Sequence, residues 1–403
     1  MKLPNKQFCV LPWVSLEASP IGTVRPCCLA DDEIKDNNGD KFQLATANFV
    51  EIQNSNHMKI LRQDFLDGKK PQTCRKCWNE ERSGRTSKRM HTLDRLKHML
   101  PDQDWTANAK PLMFLDLKLG NICNLKCRIC GSWSSSTFAV EEIANDSSQD
   151  RKNSFHYQML KAGRWPRENQ QFWQQIDQHL SDIRYIEFTG GEPFMIEEHF
   201  DMLRGIVERG IAHQVEIHYN TNGTQYPRNA IDIWKHFKTV EIAFSIDDLY
   251  ERFEYQRTDA HWLDVERNIG LFKNLRAQHP NLQLQCCSTV NVFNIRYIDQ
   301  LAWWIVQQQF DFVYWNMMHD SWYFSISTLP DTAKIEITHH LKTANIPTQY
   351  REEFDRIIDF MNQGASTDGF MLKMKIGDLD VKRNQNLHHV APEFAKLIGY
   401  ERP

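Results

Sequence analysis

The sequence predicts an α/β protein on a parallel sheet, with a small irregular cysteine-rich N-terminal domain ahead of it and a helical C-terminal extension behind. Three observations lead there. From about residue 111, short apolar and β-branched runs alternate with amphipathic stretches, the pattern of βα units. Before residue 105 regular elements are sparse, yet five of the ten cysteines fall there. After Pro330 the chain reads as charged helices. A length of 403 residues exceeds what one core usually fills. Three regions are therefore expected: 1–105, 106–325 and 326–403.

In order along the chain, Cys9, Cys27, Cys28, Cys74 and Cys77 come first, with DDEIKDNNGD at 31–40 as a surface loop. Helices are expected over 56–67, ending near Gly68, and over 87–99. Six strands follow, at 112–119, 183–189, 215–221, 240–246, 282–292 and 312–318. Helices at 169–180, 196–210, 228–237, 261–276 and 295–308 are long enough for right-handed crossovers. The polar segment Ser132 to Arg167 is long for a crossover and reads as an insertion or lid. The tail carries helices at 331–343 and 348–362, then a Lys- and Gly-containing stretch. No repeat of 20–50 residues is apparent.

A net charge of −4 and a pI near 6.5 give no global attraction to nucleic acid. Arg82, Arg85, Lys88, Arg89, Arg95 and Lys97 form a local basic run, read first as a solvated helix face and second as a polyanion contact. MKLPNKQFCVLPW is broken by Pro4 and Pro12 and is no secretory signal, and no apolar run reaches spanning length. A cytoplasmic protein without a membrane partner is expected. In a reducing compartment the cysteines are read for metal or catalysis before disulfides.

The loop GNICNLKCRIC after the first predicted strand spaces its thiols as Cys123-x3-Cys127-x2-Cys130. Three thiolates can meet three corners of an iron–sulfur cubane and leave one iron open, whereas zinc would need a fourth ligand. Strand C-terminal ends are where α/β sheets build active sites. Cys9-x12-Gly22-x4-Cys27 with Cys74-x2-Cys77 supplies a second set of four, for which spacing leaves zinc and iron–sulfur both open.

CxxxCxxC after a first strand, Gly190-Gly191-Glu192-Pro193 ending the second, Thr221-Asn222-Gly223 ending the third and Ser245-x-Asp247 ending the fourth together resemble the radical S-adenosylmethionine (SAM) superfamily over residues 111–320. The resemblance implies an open partial (β/α)6, TIM-like barrel. It also implies a [4Fe–4S] cluster on Cys123, Cys127 and Cys130 that cleaves SAM reductively, giving a 5′-deoxyadenosyl radical that removes hydrogen from a substrate. By the same resemblance, the Gly190–Pro193 turn meets the SAM amino group, Asn222 lies in the binding segment, and Ser245 and Asp247 reach the ribose or methionine end. Arg257 pairs with the SAM carboxylate, and Asn291 lies near SAM. Two departures are Ile129, where an aromatic residue is usual, and Asp248 in place of glycine. Strand alternation puts Cys287, Thr289 and Asn291 on one face, so Cys287 reads either as a hydrogen-atom donor or as an ordinary buried small residue.

The N-terminal cysteine pattern is similar to the SPASM/Twitch module, which normally follows the barrel and here precedes it. That implies an auxiliary [4Fe–4S] cluster on Cys9, Cys27, Cys74 and Cys77, with Cys28 spare and with full thiolate ligation suited to electron transfer. An electron donor such as a flavodoxin or ferredoxin is expected. Peptide or protein modification is the first expectation for substrate, a nucleotide, nucleic acid or small metabolite the second. A non-catalytic iron–sulfur or zinc protein is a third reading, which the ordered GGEP, TNG and SxD segments argue against. Trp315, Trp322, Tyr323 and Phe324 read as substrate-site or core aromatics, and His388-His389 as a surface pair.

Overall fold

A computed structural model describes residues 2–82, 84–100, 104–318 and 321–401. Its strands are β1 (Ser15–Ala18), β2 (Val24–Arg25), β3 (Phe114–Lys118), β4 (Lys126–Cys127), β5 (Tyr185–Thr189), β6 (Glu216–Thr221), β7 (Thr239–Ser245), β8 (Arg257–Thr258), β9 (Leu282–Val290) and β10 (Phe312–Met317). All six expected strands are present, as β3, β5, β6, β7, β9 and β10, and the principal sheet has eight mainly parallel strands. The fold class is as the sequence predicts. β4 and β8 form a separate antiparallel pair.

The chain divides into two compact units. The first comprises residues 1–123, 132–220 and 227–241; the second comprises 124–131, 221–226 and 242–403. In the first unit the strand order is β2-β1-β3-β5-β6. β1 runs parallel to β3 and pairs with β2 in an antiparallel hairpin. Sequence reading missed both strands, because SLEA and VR are too short to show a period. Gly22 makes the hairpin turn at φ +84°, a left-handed conformation that side chains resist, and the return strand leads straight to Cys27.

The segment 132–167 is a helical insertion, Ser136–Asn145, Gln149–Lys152 and Phe155–Ala162, each started by a serine whose hydroxyl accepts a backbone N–H. Ala139 and Leu160 bury themselves there with Ile21 of the hairpin turn. In the second unit β9 and β10 are parallel, and the tail folds as helices Asp331–Thr343, Arg351–Gln363, Phe370–Arg383, Leu387–Val390 and Pro392–Leu397. The stretch that looked irregular in sequence is thus helical too. Among the described residues no helix is long and apolar enough to cross a membrane.

Candidate functional site

The four cysteines that line the N-terminal cavity arrive on three separate supports. Cys9 precedes the short helix Leu11–Val14, Cys27 follows β2, and Cys74 and Cys77 sit three apart where a 3-10 turn runs into the helix Arg75–Arg82. Helical residues three apart share a face. Cys9, Cys27, Cys74 and Cys77 line one cavity, with Leu11, Leu29, Ala30, Phe65, Lys88 and Arg89 completing the wall. Cys28 is not in that wall; its Sγ meets Lys88 Nζ at 2.9 Å. Burial raises the Cys9 and Cys74 thiols far above the ordinary range and pushes Cys27 up to about 11. Such thiols become thiolates only when a cationic centre balances them. Among the described residues no three His, Cys, Asp or Glu side chains are grouped around a single-ion position. The four thiols instead ring a volume.

Three cations of the basic run, Lys88, Arg89 and Arg95, point inward. Ser87 caps the helix Lys88–Leu96, and Lys88 and Arg95, two turns apart, face the sheet. There Glu17, Asp116, Glu187 and His218 stand side by side on β1, β3, β5 and β6 in direct register. Adjacent like charges across strands repel. The three carboxylates are each met by a cation: Arg25 takes Glu17 through two bonds of 3.0 and 2.9 Å, and Lys88 lies 3.0 Å from Asp116 and 2.8 Å from Glu187. Arg95 bridges Glu216 and Glu241 at 3.0 Å each, and His218 reaches Glu241 at 2.9 Å. Burial opposes the Lys88 charge, yet Asp116, Cys28 and Glu187 hold its pKa well above the usual value. Arg89 is buried against Glu81, at 2.9 and 2.8 Å, and the Phe8 carbonyl at 2.8 Å. Arg82 and Lys97, by contrast, are exposed, so the run divides between internal ion pairs and solvent.

The Gly190–Pro193 turn packs on the start of the cysteine loop. Gly190 (φ +78°) and Gly191 (φ +58°) are left-handed, and a Cβ on Gly191 would lie 2.2 Å from the Ile122 carbonyl oxygen. Glu192 N–H donates to that same oxygen at 2.7 Å, and the buried Glu192 carboxylate accepts from Phe194 N–H at 3.2 Å. Asn121 donates to the carbonyls of Ser132 and Leu160, and Ser136 Oγ accepts from Cys123 N–H at 3.3 Å. The buried Thr189 Oγ1 has no partner among the described residues. We expect Gly191→Ala to weaken SAM binding at least about tenfold and to lower the melting temperature, because a left-handed alanine costs about 1–3 kcal/mol before the clash is relieved. Calorimetric titration with SAM checks this; unchanged affinity would count against a role for the turn.

In the second unit, Cys127 opens the strand pair opposite Arg257, and the Cys127 thiol is raised by hydrogen bonding with Cys130 and by burial. Asn222 and Asn124 bond at 3.1 Å, and Asn222 Oδ1 accepts from Thr224 N–H at 2.9 Å. Ser245 is half-buried at the end of β7. Asp247, wholly buried, takes Arg257 Nη2 at 2.7 Å and Thr289 N–H at 2.8 Å, so two residues each expected to contact SAM are bonded to each other. Arg257 Nε has no partner among the described residues. Asn291 is held by its protein neighbours: Nδ2 donates to the Thr289 carbonyl and to Gln256 Oε1, and Oδ1 accepts from Phe293 N–H.

Asp248, the departure from glycine, is a structural carboxyl. It accepts from Leu249 N–H and Arg252, and burial pushes it up to about 7 against the pull of Arg252. Cys287 is half-buried on the Thr289 side of β9 and Cys286 is fully buried on the other, as alternation predicts. Burial and Asp247 raise the Cys287 thiol to about 12, opposed by Arg257, so it keeps its hydrogen. Trp315 and Phe324 belong to the core, Trp315 against Tyr350 and Phe354, whereas Trp322 is exposed. His388 Nε2 meets the Tyr400 carbonyl, and His389 is exposed.

Sequence reading missed what supports the cysteine loop. Arg128, between Cys127 and Cys130, is fully buried; Nη2 meets Asp380 Oδ1 at 2.6 Å and Gln385 at 2.8 Å, and Nε donates to the Tyr255 carbonyl at 2.9 Å. Its guanidinium lies over the Tyr255 ring at 3.6 Å. Arg383 donates to the Lys126 carbonyl at 2.7 Å. The C-terminal helix Phe370–Arg383 therefore holds the loop that carries two of the cysteines.

Residues 117–294 match the radical SAM superfamily, and residues 9–78 match SPASM, an iron–sulfur cluster-binding domain. Among solved structures, the chain is similar to native anSMEcpe with bound AdoMet, at 15% identity over 56% of this chain and 57% of that one, TM-score 0.35. It is also similar to Streptococcus suis SuiB, at 14% identity over 86% of this chain and 71% of that one, TM-score 0.33. SuiB bound to precursor peptide SuiA matches at 14% over 82% and 71%, TM-score 0.34. The chain spans little more than half the length of the first of these. No curated protein matches the sequence. With CxxxCxxC, GGEP, TNG and SxD segments inside the longer match and four N-terminal cysteines inside the shorter, the chain carries a radical SAM domain preceded by a SPASM iron–sulfur cluster-binding domain.

Proposed function

We propose that this protein is a radical SAM enzyme that modifies a peptide or protein, with Cys123, Cys127 and Cys130 holding the SAM cluster and Cys9, Cys27, Cys74 and Cys77 an auxiliary cluster. When bound, these groups supply reductive cleavage of the SAM sulfonium and a 5′-deoxyadenosyl radical. The chain's own residues bind and orient. Gly190 and Gly191 leave a backbone cradle that a Cβ would fill, and the unpartnered Thr189 Oγ1 and Arg257 Nε are hydrogen-bonding groups with capacity to spare. Arg257 must exchange or share its bond to Asp247 to meet a carboxylate, a task suited to its planar fork. Cys287 stays a thiol at neutral pH and so carries a transferable hydrogen atom.

The observation that carries the two-cluster reading is that four thiols line one largely apolar cavity, a donor set that suits an iron–sulfur cluster. The resemblance of the N-terminal cysteine pattern to the SPASM/Twitch module is what favours a peptide or protein substrate. The basic run gives the nucleic-acid alternative less support, since Lys88, Arg89 and Arg95 are committed to internal carboxylates. The test is direct: reduced, reconstituted protein given SAM is expected to release 5′-deoxyadenosine, and to carry deuterium into it from a labelled peptide substrate. Absence of 5′-deoxyadenosine at about eight irons per chain would reject the reading.

A further inference from the structure

Lys88 has two neighbourhoods. It lines the four-cysteine cavity, and its Nζ is bonded to Cys28 Sγ at 2.9 Å, Asp116 Oδ2 at 3.0 Å and Glu187 Oε2 at 2.8 Å. Asp116 is fully buried, and its second oxygen, Oδ1, has no hydrogen-bond partner among the described residues. Arg89, the other cation in the wall, is balanced one to one by Glu81. Lys88 faces two carboxylates, so the triad carries a net negative charge beside the cavity. The rest of the wall is apolar apart from the thiols: Leu11, Leu29, Ala30 and Phe65. In so dry a setting a unit charge acts strongly on any redox centre nearby.

We infer that Lys88, with Asp116 and Glu187, sets the reduction potential of the auxiliary cluster, an inference that rests on the reading of the four thiols as its ligands. Reduction adds one negative charge to the cavity. The Lys88 ammonium favours that charge and the two carboxylates oppose it, so the potential reports the balance of the triad. Lys88 is a positioning residue in this role, acting through its field and through Cys28, which neighbours the ligand Cys27. The same carboxylates stand on β3 and β5 of the sheet, so a cationic group that engaged Asp116 or Glu187 would shift the potential in turn.

The experiment is an electron paramagnetic resonance redox titration of the reconstituted holoenzyme, following the reduced signal that SAM addition leaves unchanged. Lys88→Met is expected to lower the midpoint and Glu187→Gln to raise it, each by at least a tenfold change in the redox equilibrium, about 59 mV for one electron. Lys88→Arg keeps the charge and is expected to restore the wild-type midpoint. Opposite shifts at about eight irons per chain support the inference. Shifts of the same sign, or none, at that iron content overturn it. If Lys88→Met loses the cluster, the sign of the Glu187→Gln shift decides. Zinc with only about four irons in the wild-type protein would instead remove the auxiliary-cluster reading itself.

Discussion

Serine at Cys123, Cys127 and Cys130 together is expected to abolish 5′-deoxyadenosine formation and to reduce bound iron from about eight to about four per chain. An alcohol is not deprotonated at neutral pH and does not replace a thiolate on iron. The four thiols of the N-terminal cavity are supplied by Cys9, Cys27, Cys74 and Cys77, none of which lies on the altered loop, so the remaining irons should stay. Serine at Cys74 and Cys77 should give the complementary loss of iron. Iron analysis with absorption spectra reads both. Iron that stays at the wild-type level in the triple variant would remove Cys123, Cys127 and Cys130 from the ligand set. Serine at Cys28 is a control of opposite expectation: it lies outside the cavity wall and should leave the iron content unchanged.

The fold was legible because its six main strands carry their signal locally: FLDLK, YIEFT and EIHYNT are extended runs bounded by turn residues. The motifs were legible for the same reason, since each sits within a few residues at a strand end. What escaped notice depends on distant partners. Asp116, Glu187 and His218 interrupt apolar strands, and their alternation marks a polar face on β3, β5 and β6. Strands of a sheet buried on both sides should read as near-continuous apolar runs. The departure from that expectation was present in the sequence; that Lys88 and Arg95 answer it from a helix upstream was not. Likewise Asp247 and Arg257 were each assigned to a ligand, and only three-dimensional structure reveals that they bond to each other.

Asp380 is the clearest case of function hidden in an uninformative segment, and its replacement carries the largest expected cost in stability. Its carboxylate is fully buried and accepts from Arg128 at 2.6 Å, Tyr255 at 2.8 Å, Tyr400 at 3.0 Å and Leu387 N–H at 3.0 Å. Asp380→Ala leaves the buried Arg128 guanidinium without its counter-ion, and Arg128 Nη1 already lacks a partner among the described residues. Breaking one side of such a pair costs about 3–5 kcal/mol, mostly as an uncompensated charge. Because Arg128 stands between Cys127 and Cys130, the loss should not remain in the tail: iron bound by the Cys123–Cys130 loop and SAM cleavage should fall while the N-terminal cluster persists. Arg128→Met added to Asp380→Leu removes both charges and should recover much of the melting temperature, since an apolar pair in place of a buried ion pair is often neutral or better. Cluster occupancy should recover less, because the hydrogen bonds from Arg128 to Tyr255 and Gln385 that fix the loop are gone as well. Equal melting temperatures and equal iron in Asp380→Ala and wild type would rule out the C-terminal helix as the anchor of the cysteine loop.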